Sequence, residues 1–218
     1  MTSWVREAVK TLIEYYQVKW WGDDYTPFEI LVATVLSQNT TDVNARRAFD
    51  RLKKAIGEVT PQRLLSTEES KLVEALRVAG LARVKAKRLR QISKEILERF
   101  GGDFDIVFSG DVDSVRQKLL SLPGVGPKTA DVLLAFVKQA SVIPIDTHIF
   151  TIAERWGIAP RRRSYEDVKK SLESLIPEEI RAAAHIALVE HGKRLCKARN
   201  PLCKRCPISG ICPYSSTH

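Results

Sequence analysis

Apolar residues recur at helical spacing along almost the whole chain, and no alternating run long enough for a strand interrupts them. In a strand the apolar side chains would repeat every second residue, whereas in a helix they return after three or four. The pattern therefore predicts an all-α protein. With 218 residues, 44% of them hydrophobic, the chain can form one large domain or two small ones.

Capping signals divide this pattern into separate helices. The first begins after Thr2 or Ser3, and its buried face is predicted to comprise Trp4, Val5, Ala8, Leu12 and Tyr15. Thr26 caps a second helix through FEILVATVL, and the polar stretch SQNTTD separates it from a third that follows Asp42. Further helices are predicted at about 67–78, 84–99 and 112–120, from Lys128 to about Ala140, after Asp146, after Ser164 and from Pro177.

The charge of the chain favours a polyanionic partner, with nucleic acid first. Lys and Arg number 35 against 26 Asp and Glu, which gives a net charge of +9. An ordinary solvated surface is the alternative, but the excess is concentrated at the end of the chain. From His191 onward there are six basic residues and no acidic one: Lys193, Arg194, Lys197, Arg199, Lys204 and Arg205.

The sequence contains no signal of a membrane or secreted protein. No run of about 18 apolar residues occurs, and the N-terminus MTSWVREAVK is charged where a signal peptide would be apolar. We therefore expect a cytoplasmic protein.

All four cysteines lie close together near the C-terminus, in the pattern C-x6-C-x2-C-x5-C: Cys196, Cys203, Cys206 and Cys212. Four thiols in one short loop, with no other cysteine in the chain, favour a metal site over disulfides. Tetrahedral zinc sites usually use two close pairs, whereas this loop has only one. The longer gaps suit an object larger than one ion, so a [4Fe-4S] cluster is favoured over zinc.

The cluster loop also contains basic residues between its ligands: Lys197, Arg199, Lys204 and Arg205. We expect these side chains to point outward and the metal site to be structural, fixing a basic surface against phosphates. Redox sensing is the less supported alternative.

The stretch LPGVGPKTA, residues 122–130, places Gly124, Val125 and Gly126 between two predicted helices. Glycine tolerates positive φ and has no side chain, so N–H groups can point outward together at the start of the next helix. Such a turn can bind a phosphate without reading base sequence. A bare G-x-G is more simply an ordinary helix connection, but the flanking residues make this pattern more specific.

Five stretches together resemble the endonuclease III family of DNA glycosylases. LPGVGPKTADVLL is similar to the family's helix-hairpin-helix, IPIDTHIF to the segment with its catalytic Asp, and the cysteine spacing to its [4Fe-4S] loop. LVATVLSQNTTD resembles its DNA-wedge region, and GLARVKAKRL resembles the basic segment that comes next. The resemblance is collinear from about Phe28 to Tyr214.

The resemblance implies an all-α fold of two helical lobes with a DNA cleft between them. One lobe is a six-helix barrel at residues 21–140, with the helix-hairpin-helix at about 112–139. The other joins residues 1–20 to 141–218 and holds the [4Fe-4S] cluster. The implied protein is a prokaryotic, nucleoid-associated monomer whose partner is double-stranded DNA with a flipped damaged base.

The resemblance also implies a bifunctional base-excision-repair enzyme for oxidised or damaged pyrimidines, a glycosylase with AP (β-elimination) lyase activity. Lys128 would attack C1′ of the flipped nucleotide, expel the base and form a Schiff base that permits β-elimination. Asp146, from the other lobe, would stabilise positive charge on the sugar and accept a proton. From the residues alone Asp146 is also a helix N-cap, and the two roles are compatible.

A lysine nucleophile must lose its proton. An ordinary lysine has a pKa of about 10.4, whereas an amine acting near neutral pH needs about 7 to 8. The difference is about 4 kcal/mol at about 1.36 per unit, and a helix N-terminus supplies only about 0.3 to 1 kcal/mol. Desolvation in a closed pocket must supply most of it, unless a small neutral fraction suffices for a slow enzyme.

The remaining expectations concern DNA contact. An extruded base leaves a gap in the duplex, and Gln38 and Asn39 are the candidates to fill it, although local turn bonding explains each one alone equally well. The hairpin turn (Gly124, Val125, Gly126) and the basic loop (Lys197, Arg199, Lys204, Arg205) are expected to contact phosphates.

Two other functions stay open. One is a mismatch glycosylase of the same fold, acting on thymine or uracil opposite guanine and using Asp to activate water; Lys128 argues against it. The other is a DNA-binding protein without catalysis.

Overall fold

The computed structural model describes residues 3–158 and 164–217, and these stretches contain eleven α-helices and no strand, so the all-α prediction is confirmed. None of the described helices is long and apolar enough to cross a membrane. The helices are α1 (Ser3–Tyr16), α2 (Pro27–Ser37), α3 (Asp42–Ile56), α4 (Pro61–Ser66), α5 (Glu69–Leu76), α6 (Ala82–Phe100), α7 (Val112–Leu120), α8 (Pro127–Phe136), α9 (Thr147–Arg155), α10 (Tyr165–Leu175) and α11 (Arg181–Arg194). Short 3₁₀ segments lie at Arg77–Ala79, Phe104–Phe108, Glu178–Ile180, Cys203–Arg205 and Ser215–Thr217.

The chain folds into two compact units. The hairpin unit is residues 22–138, and the terminal unit combines the chain up to residue 21 with the chain from residue 139. The hairpin unit thus contains α2 to α8, and the terminal unit contains α1 and α9 to α11.

Helix α2 forms the centre of the hairpin unit. Its residues from Phe28 to Leu36 are almost all buried, because FEILVATVL is apolar on every side and not along one stripe. Thr26 begins the helix with a capping box: its side chain accepts from Glu29 N, and the Glu29 carboxylate accepts from Thr26 N. Helices α3, α6 and α8 pack around α2.

The core of the terminal unit lies between α1 and α11, with α9 and α10 adding to it. Val5, Val9 and Leu12 are buried on one face of α1. The prediction for Tyr15 was wrong: its ring is 56% exposed. At about 3.6 residues per turn, the inward stripe continues to Tyr16 and leaves Tyr15 beside it.

Several helix boundaries differ from the predicted ones. The helix predicted from Pro177 begins only at Arg181, because a 3₁₀ segment occupies Glu178–Ile180. A separate helix α4, capped by Thr60 with Pro61 at its first position, precedes α5. Thr41, and not Asp42, caps α3 by accepting from Asn44 N. Helix α8 ends at Phe136 instead of Ala140, because Gln139 takes a left-handed conformation with φ of 55°.

Candidate active site and cysteine loop

The turn between α7 and α8 needs glycine at one of its two positions. Gly124 has φ of 73°, and a Cβ there would lie 2.3 Å from Arg88 Nε. Gly126 has φ of −94°, and a Cβ there would meet nothing within 4 Å. The fold therefore requires Gly124, whereas the missing side chain at Gly126 only keeps the surface of the turn bare.

The start of α8 differs from the start of most other helices. Side chains cap α2, α3, α4, α7, α9 and α10, but Gly126 offers no side-chain cap to α8. The buried residue Val125 uses its N–H within the turn, donating to Leu122 O at 3.1 Å. The first N–H groups of an α-helix have no intrahelical acceptor, so this end of α8 is suited to an anion.

Lys128 is the second residue of α8 and is half-buried. One turn further on, the fully buried Asp131 forms an ion pair with Arg116 of α7, with 2.8 Å between Nε and Oδ1. This pair joins the two helices of the hairpin beside Lys128.

The structure distinguishes the two candidates of the α2–α3 loop. Gln38 is half-buried and engaged at both ends of its amide: Oε1 accepts from Arg88 at 2.7 Å, and Nε2 donates to Thr129 Oγ1 at 3.4 Å. Asn39 is exposed and left-handed, with φ of 55°. Gln38 is therefore part of the hairpin unit's internal contacts, and Asn39 is the residue presented to the outside.

Sequence reasoning missed Leu81, which follows Gly80 at the start of α6. Its side chain is 57% exposed, and its φ is 49°. An apolar residue in a left-handed conformation is strained by about 1 to 3 kcal/mol, and such strain is found most often at functional sites. The only signal in the sequence is an apolar residue placed between a glycine and a basic helix.

Asp146 begins α9 in the terminal unit, where its Oδ1 accepts from Ile149 N at 2.8 Å. The predicted N-cap is thus confirmed. Asp146 belongs to the terminal unit and Lys128 to the hairpin unit.

The extended segment before Asp146, residues 141–145, is held by side chains from α10 and α11 at nearly every residue. Arg181 Nη1 donates to Ser141 O at 2.6 Å, and Ile143 N donates to Glu173 Oε1 at 3.0 Å. His185 Nδ1 lies 2.9 Å from Pro144 O, and Ile145 N donates to the Tyr165 hydroxyl at 3.2 Å. These contacts fix the chain that leads into the carboxylate.

The four cysteines line one small, partly open cavity, and none of them forms a disulfide. In the described part of the chain, no three His, Cys, Asp or Glu side chains lie close enough together for a single metal ion. Four thiolates around one cavity are the donor set that an iron-sulfur cluster requires. Burial raises the pKa of the Cys206 thiol to about 11, so iron binding must displace its proton.

Two residues outside the loop contact it, and sequence reasoning missed both. Arg155 of α9 donates to Cys196 O at 2.9 Å and Cys196 Sγ at 3.1 Å, and its guanidinium lies over the Tyr214 ring. His191 of α11 is buried, with Nε2 3.7 Å from Cys206 Sγ. Burial, together with the charge of Arg155, lowers the pKa of His191 to about 4, so the ring is neutral at pH 7.

The predicted basic surface is exposed. Lys197, Arg199, Lys204 and Arg205 all have exposed side chains around the cysteine loop. They place positive charge on the outside of the loop while the thiols face its interior.

Comparison with known families identifies the class of protein. Residues 32–178, more than half of the chain, match the family model described as HhH-GPD superfamily base excision DNA repair protein. Residues 196–212 match the model described as iron-sulfur binding domain of endonuclease III. The helical fold, the hairpin and the cysteine loop are thus those of a helix-hairpin-helix protein of base excision repair.

Comparison with individual relatives identifies the family within this class. The chain is 34% identical over 193 residues to endonuclease III of Sulfolobus acidocaldarius, covering 88% of this chain and 84% of the relative. It is 33% identical over 189 residues to endonuclease III of Escherichia coli strain K12, covering 87% and 84%. The chain belongs to the endonuclease III family of DNA glycosylases, as the sequence motifs predicted.

Solved structures agree with this assignment. A non-covalent endonuclease III–DNA complex matches with a TM-score of 0.85 and 27% identity, covering 100% of this chain and 97% of the other. A trapped endonuclease III–DNA covalent intermediate matches with a TM-score of 0.84 and 26% identity, covering 100% and 98%. A thermostable thymine-DNA glycosylase, with a TM-score of 0.81, 19% identity and 96% and 95% coverage, shares the fold.

The predicted DNA partner and [4Fe-4S] cofactor are confirmed with the family. The protein binds DNA and carries an iron-sulfur cluster, and all four cysteines lie within residues 196–212, the stretch that matches the iron-sulfur domain. Zinc, the alternative left open by the spacing, is excluded by the match to the iron-sulfur domain.

Proposed function

We propose that this enzyme removes oxidised or damaged pyrimidines from double-stranded DNA and then cleaves the strand by β-elimination. The observation that carries the proposal is the place of Lys128, second in a helix whose start has no side-chain cap and follows a glycine turn. An amine at this position would lie beside a bound phosphate and within reach of the sugar attached to it.

Lys128 Nζ attacks C1′ of an extruded nucleotide, and the N-glycosidic bond breaks with its electron pair leaving on the base, which takes up a proton. The sugar ring opens to give a Schiff base between C1′ and Nζ. Loss of a C2′ proton then breaks the C3′–O bond, and the 3′ phosphate leaves with that electron pair. Water finally releases the lysine.

Asp146 supports the first of these steps. We assign to its carboxylate the stabilisation of positive charge developing on the sugar, and the acceptance of a proton. The cap to Ile149 N holds Oδ1 in a fixed direction at the start of α9, so the carboxylate is oriented before DNA binds.

Phosphate contacts would position the DNA. The bare N-terminus of α8 offers N–H donors to one phosphate, and the exposed residues Lys197, Arg199, Lys204 and Arg205 offer charge to others. The [4Fe-4S] cluster would hold these side chains in place as a structural element.

Two exposed left-handed residues would occupy the space that the extruded nucleotide leaves. We assign the gap to Asn39 and a wedge between neighbouring bases to Leu81, because apolar side chains are used to separate stacked bases. Gln38 is assigned a supporting role, since its amide is already engaged. We further infer that the protein acts as a monomer at the nucleoid.

Borohydride trapping tests the proposal. With a duplex carrying one oxidised pyrimidine, the native protein should form a covalent adduct, and Lys128→Gln should form none. Lys94→Gln, which removes an exposed lysine of α6 in the same unit, is the matched control and should trap normally. An adduct that persists in Lys128→Gln would refute the role of this lysine, whereas base release without any adduct would indicate a monofunctional glycosylase.

A further inference from the structure

A buried lysine of α6 joins the two loops that present Asn39 and Leu81. The side chain of Lys85 is only 2% exposed. Its Nζ donates to Leu36 O at 2.8 Å and to Ala79 O at 2.9 Å. Both acceptors are backbone carbonyl oxygens, so the ammonium group is kept in the interior without a carboxylate beside it.

Each carbonyl lies two or three residues before one of the exposed residues. Leu36 lies in the last turn of α2, where carbonyl groups lack an intrahelical donor, and Asn39 follows three residues later. Ala79 ends a 3₁₀ segment, and Leu81 follows two residues later. We call residues 37–41 the first loop and residues 80–81 the second loop. Because one nitrogen binds both oxygens, the two loops leave the core side by side.

Arg88, one turn further along α6, connects the first loop to the hairpin turn. Its guanidinium donates to Gln38 Oε1 at 2.7 Å and packs against Gly124 so closely that a Cβ there would overlap it. Gln38 in turn donates to Thr129, the residue after Lys128. The first loop is thereby bonded to the helix that carries the lysine.

Burying the Lys85 ammonium group close to the Arg88 guanidinium costs free energy that an exposed lysine would not lose. Burial lowers the pKa of Lys85, and the nearby charge of Arg88 lowers it further. Two cations on the same face of one helix repel each other, and apolar residues at these positions would avoid both penalties. The hydrogen bonds of Lys85 to the two carbonyl groups and of Arg88 to the Gln38 amide offset these penalties.

We propose that Lys85 and Arg88 are positioning residues, which hold the first loop, the second loop and the hairpin turn as one rigid DNA-facing surface. The inference rests on the proposed function, in which Asn39 and Leu81 enter the duplex while Lys128 reaches the sugar. Extruding a nucleotide costs a few kcal/mol, and loops already ordered in the free protein lose less entropy when they enter DNA.

The experiment compares Lys85→Met with Lys94→Met. Met replaces the ammonium group by an apolar end of similar length, and Lys94 is an exposed lysine of the same helix. Each variant is assayed for base release in single turnover on a duplex with one oxidised pyrimidine. It is also assayed for borohydride trapping on a single strand with a preformed abasic site, which needs no extrusion.

Lys85→Met should slow base release from the duplex by about 10- to 100-fold and leave trapping on the single strand unchanged. A 2-aminopurine placed beside the lesion, which brightens when its neighbour leaves the stack, should show a slower extrusion phase. Lys94→Met should match the native protein in all three measurements.

Equal loss on both substrates, or no loss on the duplex, would overturn the proposal. Should Lys85→Met fail to fold, Arg88→Met provides the same comparison, because Arg88 is half-buried and on the same face. If the native protein forms no adduct on either substrate, the lyase assignment fails. The fluorescence measurement still reports on the loops in that case.

Discussion

Replacing Arg155 should loosen the cysteine loop, residues 196–212. The guanidinium donates to four acceptors of the loop: Cys196 O at 2.9 Å, Cys196 Sγ at 3.1 Å, Lys197 O at 2.8 Å and Ala198 O at 3.1 Å. Arg155→Met keeps an apolar stem beside Tyr214 and removes all four bonds. Its expected effect depends on which acceptors water can reach after the change.

The acceptors differ in exposure, and this sets the magnitude. Lys197 and Ala198 are exposed, so water can replace the arginine at their carbonyl groups with little loss. Cys196 is half-buried, and each hydrogen bond from a charged donor to it contributes about 1.5 to 3 kcal/mol. Because Cys196 is only half-buried, the lower value applies to each of its two bonds, and we expect a total loss of about 3 kcal/mol, almost all of it at Cys196.

The assay must be kinetic, because a protein that loses its cofactor on unfolding does not show a reversible two-state transition. We expect the visible absorbance of the cluster to bleach about 100-fold faster in Arg155→Met, since about 1.4 kcal/mol corresponds to a tenfold change. Arg199→Met removes an exposed cation of the same loop and should bleach at the native rate. Equal bleaching of Arg155→Met and the native protein would refute the assignment of this stability to the Cys196 contacts.

Three further changes test the remaining parts of the site. Gly124→Ala should speed thermal unfolding by about fivefold or more, which corresponds to about 1 kcal/mol, because φ is 73° and Arg88 must move. Gly126→Ala should unfold at a rate within about twofold of the native rate, and equal unfolding rates for the two variants would contradict the requirement for glycine at position 124. Asp146→Asn should keep the native unfolding rate, since Asn caps as well as Asp, while single-turnover base release falls sharply. An unchanged rate of base release would mean that Asp146 acts only as a helix cap. Tyr165→Phe removes the acceptor of Ile145 N and should speed thermal unfolding about fivefold, which corresponds to about 1 kcal/mol. It should also lower the turnover rate without changing DNA affinity. A weaker affinity at native turnover would show that residues 141–145 serve binding instead.

Local signals in the sequence identified most helix starts. Thr26 with Glu29 and Ser164 with Asp167 both form the capping boxes that their spacing indicates. The cysteine pattern likewise identified the cluster, because its four ligands lie in one short loop. In each case the interacting groups are a few residues apart, so the order of residues along the chain contains the information.

Contacts between distant residues were not predictable in this way. Lys85 reads as one more surface cation in the basic segment GLARVKAKRL, yet it is buried because its acceptors come from two other elements. Arg88 pairs with Gln38 across 50 residues. The same applies to Arg155, 41 residues from Cys196. Periodicity places a residue on a face of a helix but does not tell which carbonyl group that face will meet.

For Lys128, the proposed nucleophile, the low pKa that the reaction needs must come from the pocket and not from the helix. The start of α8 favours a neutral amine by about 0.3 to 1 kcal/mol, whereas a lysine active near neutral pH requires about 4 kcal/mol. A phosphate bound at the same helix start would act against the shift, since an anion favours the ammonium form. Exclusion of water when DNA binds must therefore supply the rest of the free energy needed to deprotonate the lysine, and must also offset the effect of the phosphate. This requires the extruded nucleotide to be held steadily, which is the task assigned here to the two loops and the α6 residues that join them.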